Sequence, residues 1–186
     1  MNADTDEFKI VFTGPMGAGK TTALAAVSDV DPVRTEVANT DRLSHDKPLT
    51  TVGIDFGHIE LEDGHVVRLY GTPGQARFHV MWEVVGRNAA GIVVLLDATR
   101  PDASEQMNHF VNAFRTIAPA AAMIIGVGRT TEPGAPPSEY FSAQLEENGI
   151  VVPVLSVDVR RREDVLLLLQ TLLCLIETPI GSGAVA

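Results

Sequence analysis

Gly14-Pro15-Met16-Gly17-Ala18-Gly19-Lys20-Thr21 fits the pattern G-x-x-x-x-G-K-[ST] of a phosphate-binding P-loop, with a lysine and a hydroxyl in the two chemically demanding places. Phe8 to Phe12 before it reads as a buried strand, and Lys20 to Val27 after it as the start of a helix. Strand, glycine-rich turn and helix are what this chemistry needs. Glycines let backbone N–H groups converge on phosphate oxygens, and the helix N-terminus adds a favourable dipole. Lys20 is then placed to reach the terminal phosphates and Thr21 to ligate Mg²⁺ through its hydroxyl. Gly14 to Thr22 are the candidate phosphate-binding residues of this segment.

The rest of the composition bounds the setting. At 186 residues the chain has the length of one domain with a substantial core, and 45% hydrophobic against 20% charged residues marks a globular protein. A net charge of −10, with Lys9, Lys20 and Lys47 as the lysines, argues against non-specific nucleic-acid binding and against an anionic membrane surface. Cys174 stands alone, so no intrachain disulfide is expected, which suits a reducing cytoplasm; Cys174 itself reads as a core residue. MNADTDEF carries no signal-peptide pattern and GSGAVA no prenylation cysteine, so no stable membrane anchor is expected.

Along the chain, Ser28 to Pro48 is polar and turn-rich and reads as a long loop. Ile54 to Glu62 and His65 to Tyr70 flank Asp63-Gly64, a strong hairpin signal. Gly91 to Leu96, Ala121 to Val127 and Val151 to Val157 read as buried strands, and Ser104 to Ala118, Ser138 to Asn148 and Asp164 to Ile176 as helices. This alternation predicts an α/β three-layer sandwich: a mostly parallel six-stranded sheet with one antiparallel strand and helices on both faces. The expected domain runs over 8–178, with a flexible N-terminus at 1–7 and a flexible tail at 179–186. In a doubly wound sheet the P-loop shares one crevice with the other strand-end loops.

The order P-loop, long loop, Thr50-Thr51-Val52-Gly53, hairpin, then Gly71-Thr72-Pro73-Gly74-Gln75 resembles the Ras-like small GTPases. More narrowly, TTVGIDFG at 50–57 and LYGTPGQARF at 69–78 are similar to the prokaryotic MglA-like GTPases, including those of actinobacterial conservons. The resemblance implies a switch that binds GTP and GDP with Mg²⁺, hydrolyses GTP slowly, and engages a partner, a roadblock-domain protein among the family's known ones. It gives Thr51, with Thr50 as competitor, the role of the switch I threonine that ligates Mg²⁺. Gly74 then meets the γ-phosphate and Gln75 orients the attacking water.

Two departures stand out. Gly71 occupies the place of the aspartate that usually supports Mg²⁺ through water; the resemblance to MglA-like proteins, which also lack it and keep an acid equivalent to Asp55, makes Asp55 the candidate substitute, four residues after Thr51 and on the same face of an extended strand, with Asp97 as the alternative. The base-reading Asn-Lys-x-Asp pattern is replaced by Gly128-Arg129-Thr130-Thr131, so Thr131 offers a hydroxyl for a carboxylate, Arg129 an aliphatic stem, and Ser156 falls in the last base-contacting loop. A non-hydrolysing pseudo-GTPase scaffold with relaxed base specificity is therefore the alternative function. Thr50 also stands where MglA-like proteins carry an arginine, leaving Arg42 and Arg77 as the nearest candidates. His45, His58, His65, His79 and His109 show no metal-ligand spacing, while Met81 and Trp82 are expected to pack the helix after Gln75 onto the core. The leucine-rich segment 164–177 either packs on both sides or exposes a stripe for self-association.

Overall fold

The computed structural model describes residues 7–37, 52–61 and 64–177. The chain runs β1 (Glu7–Thr13), α1 (Lys20–Val27), β2 (Val33–Val37), β3 (Val52–Glu60), β4 (Val66–Gly71), a 3₁₀ turn (Ala76–Phe78), α2 (His79–Gly86), β5 (Gly91–Asp97), α3 (Ala103–Ile117), β6 (Ala122–Gly128), α4 (Ser138–Glu147), β7 (Val154–Ser156) and α5 (Arg162–Glu177). One sheet holds all the strands in the order β2-β3-β4-β1-β5-β6-β7. Strand β3 pairs antiparallel with both its neighbours, and the other pairings are parallel. This is the expected Ras-like α/β architecture with one antiparallel strand. It carries one strand more, β2, within the stretch read as a loop.

Strand β1 explains the layering. Its neighbours β4 and β5 cover both edges, so residues on both faces need apolar cover. Val11 points into a core shared with α2, α3 and α4, while Ile10 and Phe12 point into one shared with α1 and α5. The same alternation divides Ile92, Val94 and Leu96 from Val93 and Leu95 on β5. Trp82, Phe110 and Phe114 fill the first core, and Trp82 is fully buried, as expected.

The β3–β4 connection is closed by Leu61 N–H donating to His65 O and Gly64 N–H donating to Leu61 O, both at 2.9 Å, with Gly64 at φ 85°. Asp63 lies outside the described residues. Strand β7 is shorter than its apolar run: Pro153 has no N–H to give the ladder, and Val151 ahead of it is 87% exposed.

Helix α5 packs on both flanks. Val165, Leu168, Leu169 and Leu172 are buried against α1 and the sheet, with Leu166, Leu173 and Ile176 partly covered by the same core. On its outer side Leu167, 54% exposed, stands among Glu163, Gln170, Cys174 and Glu177, so the described helix presents no apolar stripe. Cys174 corrects the expectation of a core cysteine: it is exposed, two residues past Leu172 on the opposite side of the helix. No described helix is long and apolar enough to cross a membrane.

The two sides of α5 give a direct test. Leu168→Ala should cost about 2–5 kcal/mol of stability, as a buried leucine truncation does, whereas Leu167→Ala should stay within ~0.5 kcal/mol. Urea unfolding midpoints of the two variants measure the difference.

Candidate functional site

The C-terminal ends of β1, β4, β5, β6 and β7 lie along one edge of the sheet, and the loops that follow them form the site. Gly14 and Gly17 adopt φ of 131° and 87° at the P-loop. A Cβ on Gly14 would lie 2.1 Å from Leu95 O, so both the backbone angle and the space demand glycine there. Helix α1 starts at Gly19 with no side-chain cap and no acidic residue in its first turn. Its leading N–H groups are thus left to an anion.

Lys20 is buried, and its Nζ donates to Gly14 O and Pro15 O at 2.8 Å each. The ammonium therefore closes the loop on itself at the rim where phosphate oxygens would replace the two carbonyls. Burial lowers its pKa from 10.5 to about 8, against the opposing attraction of the Asp55 carboxylate.

The Thr21 hydroxyl donates to Asp55 Oδ2. Asp55 is 9% exposed on β3, and in the antiparallel register it stands opposite Gly71 of β4. A Cβ on Gly71 would come 3.1 Å from Asp55 Cβ and 3.2 Å from Oδ2, so the two positions compete for the same space. Asp97 is committed elsewhere: its Oδ1 accepts from Thr99 N–H at 3.0 Å and Thr99 Oγ1–H at 2.6 Å, and its Oδ2 accepts from Arg129 Nη1–H. The hard oxygen donors beside Thr21 thus come from β3. Thr51, Thr50 and Arg42 lie outside the described residues, as does His45. Among the described residues no cluster of three His, Cys, Asp or Glu side chains suits a metal ion.

Gly74 presses on the P-loop, where a Cβ would fall 2.5 Å from Met16 N and 2.6 Å from Pro15 C. Gln75 Nε2 lies 3.6 Å from Met16 Sδ. Two buried threonines, to which the sequence pattern assigns no role, fix this approach: Thr72 N–H donates to Phe12 O at 2.9 Å, and Thr72 Oγ1–H donates to Thr13 Oγ1 at 2.9 Å. Their only signal in the sequence is a polar residue at each strand end. Arg77 is exposed and stacks on Phe78, 4.9 Å from the ring centroid, so it is not drawn into the P-loop.

Beyond the P-loop lies a cavity of about 430 Å³ between the loops after β6 and β7. Arg129, Thr131 and Ser156 all line it. The Arg129 guanidinium is tied to Asp97 and its backbone sits at φ 60°, while Ser156 Oγ pairs with Thr130 Oγ1. Val157 N–H is spent on Val127 O at 3.0 Å, and Asp158 N–H on Asp164 Oδ2 at 2.9 Å. Asp158 and Asp164 also line the cavity, although no motif in the sequence points to them. Arg160 holds the Asp158 carboxyl at about 2, well below the usual carboxylate range.

The sequence pattern of the Ras family matches residues 9–132, more than half of the chain. The chain belongs to the Ras family. This Ras-family chain is 29% identical over 133 residues to the GTP-binding protein ypt4 of Schizosaccharomyces pombe, covering 67% of this chain and 51% of that protein. It is 28% identical over 157 residues to the Ras-related protein RABD2a of Arabidopsis thaliana, covering 81% and 71%. With the Ras-related protein RABA1h of Arabidopsis thaliana the identity is 27% over 128 residues, covering 67% and 53%. The chain spans about half the length of most such relatives.

The buried ammonium sets a pH dependence. Folded Lys20 gives up its proton near pH 8 and the unfolded chain near 10.5, so across that window the unfolded state binds more protons and ligand-free stability rises with pH. Lys20→Met should remove that part of the rise. Urea midpoints taken between pH 8 and 10 check this, and a wild-type slope equal to that of Lys20→Met would contradict it.

Proposed function

We propose that this Ras-family chain is a nucleotide-dependent switch that binds GTP and GDP with Mg²⁺, hydrolyses GTP slowly and engages a regulatory partner in one nucleotide state. The observation that carries this reading is the P-loop geometry: an uncapped helix N-terminus, a buried Lys20 ammonium on the loop's rim, and Gly74-Gln75 lying against the same loop.

On this reading Lys20 exchanges its two carbonyl partners for phosphate oxygens, a charge-assisted replacement. The N–H groups of Gly17 to Thr22 cradle the phosphates, and the Gly74 N–H meets the γ-phosphate. Gln75 orients the water that attacks it. Thr21, Thr51 and Asp55 would hold Mg²⁺, which when bound neutralises developing phosphate charge and polarises the phosphoryl oxygens. The donor set fits that ion, because hydroxyl and carboxylate oxygens are what Mg²⁺ prefers and Asp55 already sits beside the Thr21 hydroxyl. The pairing of Asp55 with Gly71, together with TTVGIDFG and LYGTPGQARF, supports the MglA-like subtype and with it a roadblock-domain partner and a cytoplasmic site of action.

A second reading, a non-hydrolysing scaffold with relaxed base specificity, draws on the base cavity. Thr131 is uncharged and exposed, and the N–H groups of Val157 and Asp158 are already taken. A guanine edge would find few groups waiting to be paired, and unpaired polar groups are what reject the wrong base.

Titration with fluorescent GTP, GDP and ATP analogues, followed by single-turnover hydrolysis, separates the readings. The switch requires guanine nucleotide binding that Lys20→Ala weakens roughly ten- to hundredfold, the scale of a lost hydrogen bond to a charged group. It also requires wild-type turnover on the order of 10⁻⁴ to 10⁻³ s⁻¹. Gln75→Leu should slow that turnover and leave GTP affinity in place. Binding without any turnover selects the scaffold, and wild-type affinity in Lys20→Ala refutes the site. Guanine over adenine selectivity should fall below about 10²-fold; discrimination of ~10⁴-fold would show that another residue reads the base.

A further inference from the structure

Trp82 does more than fill the core between α2 and α3. Its indole Nε1–H donates to Pro73 O at 2.8 Å, a full-strength bond made by a side chain with no exposed surface. Neighbouring rings fix the donor: Phe110 lies 4.6 Å away between centroids, His79 and His109 each 5.6 Å, and Phe114 6.0 Å. Turning the indole would require α2 to repack on α3.

The acceptor decides the consequence. Pro73 O belongs to the peptide whose other end is the Gly74 N–H, and that peptide is trans. In a trans peptide the C=O and the N–H point in opposite directions. With the carbonyl held toward the aromatic core, the Gly74 N–H is turned away from that core. The P-loop lies against the same residue, where a Cβ would meet Met16 N at 2.5 Å and Gly14 O at 2.8 Å. The local chain does not fix this plane by itself. The proline ring sets φ at residue 73 and leaves ψ open, and glycine at 74 tolerates the flipped peptide, the difference between type I and type II turns. Thr72 N–H on Phe12 O and Phe78 N–H on Gln75 O anchor the chain to either side, and neither bond touches the peptide between Pro73 and Gly74.

We propose that Trp82 is a positioning residue that sets the preference for nucleoside triphosphate over diphosphate, by holding the Pro73–Gly74 peptide with its N–H toward the γ-phosphate. This rests on the nucleotide-switch reading given above, in which only the triphosphate reaches that N–H.

Two substitutions separate bonding from packing. Trp82→Phe keeps a ring in the cluster and removes the N–H, whereas Phe114→Leu thins the same cluster and leaves the bond in place. In Trp82→Phe the affinity for a non-hydrolysable GTP analogue should fall about three- to tenfold while GDP affinity holds, the scale of one lost hydrogen bond. Phe114→Leu should keep the wild-type ratio of the two affinities. An unchanged ratio in Trp82→Phe, or an equal change in Phe114→Leu, overturns the proposal. The wild-type protein supplies a second readout, because its one tryptophan gives one indole N–H resonance. By linkage that proton should exchange with solvent more slowly in the GTP-analogue complex than in the GDP complex. Exchange that is equal, or faster with the GTP analogue, defeats this proposal alone. A wild-type protein that binds neither nucleotide defeats the switch reading and the proposal with it.

Discussion

The structure is organised by a strand that must be buried on both faces. Ile10, Val11 and Phe12 of β1 are fully buried, with β4 and β5 on either side, so the chain can leave this strand only at its end and must return over a face of the sheet. Helix α1 makes that return, and the turn into it has to be tight. The turn is the P-loop. Its glycine angles, the uncapped helix start and the inward lysine follow from one geometric demand: strand, reversal and helix packed within a few residues. Because the other parallel strands end at the same edge, the loops after β4, β5, β6 and β7 converge on that turn.

Electrostatics then work within this frame. A lysine buried at the rim is held by two carbonyls and by a carboxylate two strands away in the same sheet, which keeps a positive charge where apolar packing alone would expel it. That carboxylate belongs to Asp55 on β3, across the antiparallel pair from Gly71. Adjacent strands in register place facing residues within a few ångströms, so a side chain can move from one strand to the other and still serve the same point in space. A Cβ on Gly71 would lie 3.1 Å from Asp55 Cβ, so the two positions address the same point from adjacent strands.

How far the residues disclosed this in advance varied with the kind of signal. The P-loop and the paired strands were legible because both depend on local rules, glycine angles and alternation, that a short window contains. The candidacy of Asp55 rests on the likeness of TTVGIDFG and on a period of two shared with Thr51, which lies outside the described residues; the structure adds the hydrogen bond that Asp55 accepts from the Thr21 hydroxyl. Strand β2 was not, since VRTEV is short, polar and at the sheet edge, and owes its conformation to pairing with β3. The Arg129–Asp97 ion pair and the use of Val157 and Asp158 N–H groups were hidden for a different reason. Arg129 and Asp97, like Val157 and Val127, are about 30 residues apart and meet only when the adjacent strands β5, β6 and β7 pair, while Asp158 and Asp164 meet across the turn into α5. The core reading of Cys174 followed its apolar character alone, whereas Glu163, Gln170 and Glu177, seven residues apart, mark the outer side of the helix on which it stands.

The claim that ties fold to function is that the metal-supporting carboxylate stands on β3 because β4 carries glycine opposite it. A Mg²⁺ titration of GTP binding addresses it directly, comparing wild type, D55N and the exchanged protein D55G/G71D. The account predicts that D55N needs several-fold more Mg²⁺ for GTP while Mg²⁺-independent GDP binding barely moves, and that D55G/G71D recovers most of the loss because the carboxylate returns to the same space from the other strand. A D55N titration that overlays the wild type would contradict it.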